Sequence, residues 1–145
     1  MRKESREMPE DFALEVMDKA PFATLSVVRT DGSAYGLPIS HARTDNRTFY
    51  FHCALEGNKI DAIKKNPQVC LSAVSKCKPT VGPKDGSFTL EYKSAIGFGM
   101  AELVEDESEK IEALRAICMR YLPNHMDAFD TSIARSLSRT AVVRI

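Results

Sequence analysis

The chain predicts an α+β fold, mainly β: an antiparallel barrel with a few flanking helices. Three observations carry that expectation. Short segments of alternating apolar residues recur along the whole sequence. They are joined mainly by hairpin signals such as Asp31-Gly32, not by the regular strand–helix alternation of a parallel sheet. The loops Gly-x-Gly-x-x-Gly and Gly-x-x-x-x-Gly-Lys-[Ser/Thr], which open parallel nucleotide-binding folds, do not occur. About six strands are expected, with helices set between some of them.

Each element has a local signal. Pro9 suits a first helical position and Glu10 and Asp11 complement the dipole, so Pro9 to Lys19 reads as a helix with Phe12, Ala13, Val16 and Met17 on one face. Phe22 to Thr30 alternates, with Ala23, Leu25 and Val27 on one side. After the Asp31-Gly32 turn, Tyr35 to Ala42 returns as a second strand. Pro38 lies inside it and cannot donate to a ladder, which requires an edge, a bulge or a ligand-facing backbone. Asp45-Asn46 marks a tight turn into the strand Thr48 to Cys53.

A helix follows Gly57, with Asn58 three residues before Asp61 as an approximate capping box. Pro67 lies beyond its end, and Gln68 to Ser75 is an apolar strand. Residues 76–86 read as a loop by composition. From Phe88 to Val104 a long alternation places Phe88, Leu90, Tyr92, Ser94, Ile96, Phe98 and Met100 on one face. Gly97 and Gly99 on the other face suggest sharp bending or the close approach of another backbone. Glu105 to Leu122 is an amphipathic helix stopped by Pro123, with Ile111, Leu114, Ile117, Cys118 and Tyr121 inward. Asp127 to Ser138 reads as a loop with a helical turn, and Thr140 to Ile145 as the closing strand.

At 145 residues the length suits one domain, 1–145, with a core of useful size. Apolar residues make up 43% and charged residues 28%, the balance of a folded chain. Twenty basic and twenty acidic residues cancel, so no overall field favours nucleic acid or an anionic membrane. Met1 to Met8 lacks the apolar core of a signal peptide, and no apolar run approaches the roughly 20 residues of a helical span. A cytoplasmic protein is expected. Cys53, Cys70, Cys77 and Cys118 have no disulfide-framework spacing and read as reduced core thiols. No Cys-x-x-Cys occurs and His41, His52 and His125 are scattered, so no metal site is expected. His41 and His125 read as surface or loop residues.

The run from Thr48 to Lys64 carries the chemistry. An aromatic strand (Phe49, Tyr50, Phe51) turns at Glu56-Gly57 and enters a helix whose first turn holds Asn58 and Lys59. Unpaired amides and the positive end of the dipole gather at such a terminus. A lysine beside them makes a seat for a phosphate. His52, at the end of the strand, points to the same junction. The plainer alternatives are a solvated lysine, a capping asparagine and a histidine satisfied by backbone.

The ordered set Pro21-Phe22-Ala23-Thr24-Leu25, Asp31-Gly32, Tyr35-Gly36-Leu37-Pro38-Ile39-Ser40, Phe49-Tyr50-Phe51-His52 and Gly57-Asn58-Lys59 resembles a known family. It is similar to the FMN-binding split β-barrels related to pyridoxamine 5′-phosphate oxidase, and within them most similar to the nitroimidazole-resistance proteins. Glu91 to Gly99 and the closing strand extend the likeness over nearly the whole chain.

The resemblance implies a homodimer with two FMN sites at the subunit interface. It places the flavin phosphate at Gly57, Asn58 and Lys59, and the backbone of Leu37, Pro38, Ile39 and Ser40 beside the isoalloxazine ring. Tyr92 and Ser94 would reach the site across the interface, and His52 matches the histidine close to the flavin, the expected catalytic residue. The implied activity is reduction of a small electron-poor substrate such as a nitroimidazole, with a nicotinamide electron donor. Family members that oxidise pyridoxamine phosphate carry two basic residues where this chain has Asn58-Lys59. They also carry further arginines near the C-terminus, where this chain has Arg139 and Arg144. Those departures speak against that oxidation. Rival readings at the same site are a flavin-storing module without turnover, and a barrel that binds haem or a deazaflavin.

Overall fold

Among the described residues, eight strands form two four-stranded antiparallel sheets, flanked by four α-helices. The computed structural model describes residues 7–45, 47–82 and 86–145. Helix α1 (Glu10–Lys19) leads to strands β1 (Ala23–Val28), β2 (Ala34–Ile39), β3 (His41–Arg43) and β4 (Phe49–Ala54). Helix α2 (Asn58–Lys65) precedes β5 (Gln68–Val81), β6 (Phe88–Met100) and β7 (Glu102–Leu103). Helix α3 (Glu107–Tyr121), a 3-10 turn (Pro123–Ala128), α4 (Phe129–Ser136) and β8 (Thr140–Arg144) complete the chain.

One sheet runs β2-β1-β5-β6 and the other β3-β4-β8-β7. The single residue Ser40 separates β2 from β3, and Ala101 alone separates β6 from β7. Both edges of the first sheet therefore continue into both edges of the second. What reads in the sequence as one strand from Tyr35 to Ala42 is two strands in different sheets. The stretch from Phe88 to Val104 is divided in the same way, and the Ala101 N–H bonds the Pro67 carbonyl at the break.

The composition of residues 76–86 predicts a loop, but β5 continues to Val81 and pairs with β6 as far as Phe88, with a register shift between Val74 and Lys76. A strand partner satisfies the polar-looking Lys76 to Thr80 backbone, and composition cannot register that. Residues 83–85 and Asn46 of the expected Asp45-Asn46 turn lie outside the described residues. The Asp45 carboxylate still accepts the Arg47 and Thr48 N–H groups as a turn would require. The Met1 to Met8 reading also lies outside them up to residue 6.

Ala23, Leu25, Val27, Phe49, Phe51, Val69, Leu71 and Val143 fill the main core, closed by Val16 and Met17 of α1 and by Ile60 and Ile63 of α2. A second cluster packs Ala42, Tyr50 and Val142 against Ala113, Leu114 and Ile117 of α3. Asp106 caps α3 by accepting the Glu109 N–H. The expected loop from Asp127 to Ser138 is largely α4, whose Phe129 is buried in the second cluster under Arg115. Gly97 and Gly99 admit side chains, not another backbone: a Cβ at 97 would lie 3.7 Å from Met17 Cε, and at 99 only 2.9 Å from Ile145 Cγ2.

Candidate functional site

The turn into α2 is built on Gly57, whose φ of 126° and ψ of 167° lie in a region essentially closed to residues with a Cβ. Nothing lies within 4 Å of where a Cβ would stand, so the requirement is one of backbone shape. Gly57 is itself the N-cap, and no side chain caps this helix. The expected Asn58–Asp61 capping box is therefore absent: Asn58 is the first helical residue, and the Asp61 N–H bonds the Gly57 carbonyl. The leading amides of α2 are left without a side-chain acceptor, and they carry the positive end of its dipole.

Buried Ile60, Ala62 and Ile63 hold the helix against the core. Lys59 is half-buried and its ammonium lies 5.5 Å from the centroid of the Phe51 ring. Along β4, Phe51 turns inward and is fully enclosed, while the next residue, His52, is exposed. Protein around the His52 ring desolvates it in part, and the nearby Lys59 ammonium adds to this, so its pKa sits below the ordinary histidine value. At pH 7 the ring is neutral and can either give or take a proton. Burial raises the Cys53 thiol, with Lys59 opposing.

The structure brings the expected site residues together in two sets and holds the third apart. His52, Gly57, Asn58 and Lys59 share the β4–α2 junction. Of Leu37, Pro38, Ile39 and Ser40, Ser40 comes nearest to it: β3 pairs His41 with Phe51, and one further step along that register sets Ser40 level with His52, while Leu37 to Ile39 pair with β1 in the other sheet. Pro38 pairs only with Thr24 of β1 and lies on an edge strand, where its missing N–H is harmless. Tyr92 and Ser94 lie on β6, at the opposite edge of the same sheet. Three strand spacings, about 14 Å, separate them from β2.

The β6 face that carries Tyr92 and Ser94 is bare. Phe88 is 84% exposed and Phe98 86%, and Leu90, Tyr92, Ile96 and Met100 are exposed beside them. Isolated folds rarely leave a contiguous apolar face of this kind open to water.

Two features escaped sequence reasoning. His41, expected at the surface, is fully buried; its alternation with Phe49 and Phe51 in the facing strand was the available signal. Tyr50, Glu109, Arg144 and Glu102 form a polar network in which Tyr50 donates to Glu109 and Arg144 bridges the two glutamates. Cys53, Cys70 and Cys118 are half-buried as core thiols would be, but Cys77 is exposed, because it lies on the outer part of the β5–β6 hairpin. A cavity of about 400 Å³ opens between α1 and the end of β6, under the Glu10–Arg47 ion pair. None of the expected site residues lines it. Among the described residues no three His, Cys, Asp or Glu side chains group as metal ligands, and no helix is long and apolar enough to cross a membrane.

Two sheets that exchange strands at both edges, with a glycine-opened helix beside an uncovered histidine, define a small α+β fold of mainly antiparallel sheet. The model of the pyridoxamine 5′-phosphate oxidase family matches residues 9–145, and the chain belongs to that family. Solved structures share the fold. A candidate 5-nitroimidazole antibiotic resistance protein from Bacteroides thetaiotaomicron is 20% identical with a TM-score of 0.77, over 95% of this chain and 79% of the other. A flavocytochrome from Azotobacter vinelandii is 21% identical with a TM-score of 0.81; the match covers 96% of this chain but 64% of that longer protein. A FAD-binding protein from Mesorhizobium loti is 20% identical with a TM-score of 0.62, over 95% and 88%. No curated protein matches the chain.

Proposed function

We propose that this chain is a cytoplasmic, homodimeric FMN-binding split barrel of one domain that reduces small electron-poor molecules such as nitroimidazoles. The observation that carries the reading is the uncapped, glycine-opened start of α2 with Lys59 beside it and neutral His52 across the turn. That donor set fits a phosphate ester: amides and one ammonium, with no carboxylate capping the helix. Relatives of the same fold include a FAD-binding protein and a flavocytochrome.

In this reading Lys59 and the amides of Asn58 and Lys59 hold the phosphate. The edge backbone from Leu37 to Ser40 borders the ring system, and His52 exchanges a proton at its imidazole nitrogen beside it. Bound there, FMN supplies hydride acceptance and electron transfer to the substrate. The bare β6 face meets a second copy, which brings Tyr92 and Ser94 to the neighbouring site and excludes water from it.

The test is direct. Purified protein, reconstituted with FMN if colourless, is mixed anaerobically with a nicotinamide donor and then with a nitroimidazole. Bleaching by the donor and recovery on adding the nitro compound support the reductase. Flavin that binds but is never reduced would make the chain a storage module. A Soret band in place of flavin absorbance would move it to the haem-binding reading.

A further inference from the structure

One buried imidazole secures the point where the chain crosses from the first sheet to the second. His41 opens β3, one residue after Ser40, and is the one fully buried polar side chain among the described residues. Its Nε2 lies 2.9 Å from the Met17 carbonyl of α1. A carbonyl only accepts, so Nε2 carries the hydrogen and Nδ1 of the neutral ring keeps a lone pair. That Nδ1 is buried and has no partner. The Tyr121 hydroxyl of α3 clamps the same residue's backbone, accepting its N–H and donating to its carbonyl, each at 3.1 Å.

The surroundings are hostile to a second proton. It would have to sit on Nδ1, out of water and with no hydrogen bond in place, where only the Ile39 carbonyl favours it. The Arg120 guanidinium of α3 shares the Met17 carbonyl with the ring, at 2.9 Å, and also bonds the Ala20 carbonyl at 2.7 Å. Asp18 of α1 is the nearby anion, but its carboxylate is committed to Arg43 of β3. From β4 the facing group is the Phe49 ring, 6.0 Å away between centroids. Burial is the main cause, and Arg120 a second, that holds the His41 pKa below its ordinary value against the pull of the Met17 carbonyl, Asp18 and the Ile39 carbonyl.

We propose that His41 is a proton-sensitive latch on the β2–β3 crossing: a neutral ring holds the Leu37–Ser40 backbone in place, and a second proton on the ring releases it. When the segment opens, the ring recovers its ordinary affinity for a proton, near pH 6.5. Opening then becomes easier as pH falls below that value, by up to about tenfold per pH unit. The latch is fully engaged above that range and lost below it. Its consequence, acid release of bound flavin, rests on the FMN reading above; the latch itself does not.

Hydrogen exchange on the full-length, flavin-free protein tests it. Between pH 7.5 and 5.5, after correction for intrinsic exchange, protection of a peptide covering 37–43 is expected to fall about tenfold. A peptide covering 69–73 in β5 should not follow. His41→Gln keeps a donor for Met17 without a titrating ring, so its profile should be flat. Tyr121→Phe should lower protection at every pH while keeping the step. An unchanging wild-type profile, or the same step in H41Q, overturns the latch. Should H41Q fail to fold, the profile of His52→Ala decides, because His52 also carries a depressed pKa: a step at 37–43 that persists in that variant keeps the latch, and its loss overturns it. FMN affinity is then compared at both pH values. The ester's own second ionisation falls near pH 6, so the difference between wild type and H41Q isolates the protein's part. Opening of 37–43 with no FMN binding at either pH would keep the latch and reject the flavin reading.

Discussion

Lys59 holds its ammonium 5.5 Å from the centroid of the Phe51 ring, which ties the first turn of α2 to a fully buried residue of β4. The long side chain is thereby placed before any anion arrives. Less of its rotamer freedom remains to be lost on binding.

Lys59→Ala is expected to weaken FMN binding by about 1.5–3 kcal/mol, the scale of a hydrogen bond to a charged group. Titration calorimetry measures it. An unchanged affinity removes Lys59 from the phosphate site.

Gly57→Ala forces a Cβ into a backbone region that carries about 1–3 kcal/mol of strain. The space around that Cβ is empty, so packing adds nothing. Thermal unfolding should show the loss. The turn can also relax by moving the leading amides of α2, and in that case FMN binding falls as well. A variant as stable as the parent with full flavin affinity would show that this geometry is dispensable.

His52→Ala should retain flavin and alter the rate of its reduction. The ring's lowered pKa carries a second expectation. Because folding depresses it, the native state resists protonation and loses stability from this group as pH falls below about 6.5. Lys59 contributes to that depression. An NMR titration of His52 in Lys59→Ala should therefore give a higher pKa than in the parent. An unmoved value means the two groups do not interact.

Phe98→Glu places a charge on a side chain that is 86% exposed in the single chain. It should cost the isolated fold little, within about 0.5 kcal/mol, and abolish association if β6 is the dimer face. Light scattering after size exclusion reads the mass. An intact dimer would assign the bare face to another role.

Much of the fold was legible because its signals are local. The alternation of Ala23, Leu25 and Val27, the Asp31-Gly32 turn and the position of Pro38 each state a requirement that neighbours cannot override. The β4–α2 junction was legible for the same reason, since glycine, helix start and lysine are contiguous. What failed depended on partners distant in sequence. Lys76 to Val81 reads as a loop until Phe88 to Lys93 is laid beside it. His41 reads as a surface residue until α1 and α3 close over it. The break at Ser40 cannot be seen from Tyr35 to Ala42 alone, because both halves have strand character. Phe129 is an ordinary loop aromatic until Arg115 and the second core receive it.

Ile39 and His41 belong to different sheets yet stand two residues apart, and Met100 and Glu102 repeat the arrangement at the far margin. Sliding β2 by one residue along β1 would drag β3 along β4 by the same amount and turn both rows of side chains over. Misalignment in either layer is thus penalised twice, and each layer proofreads the other's threading.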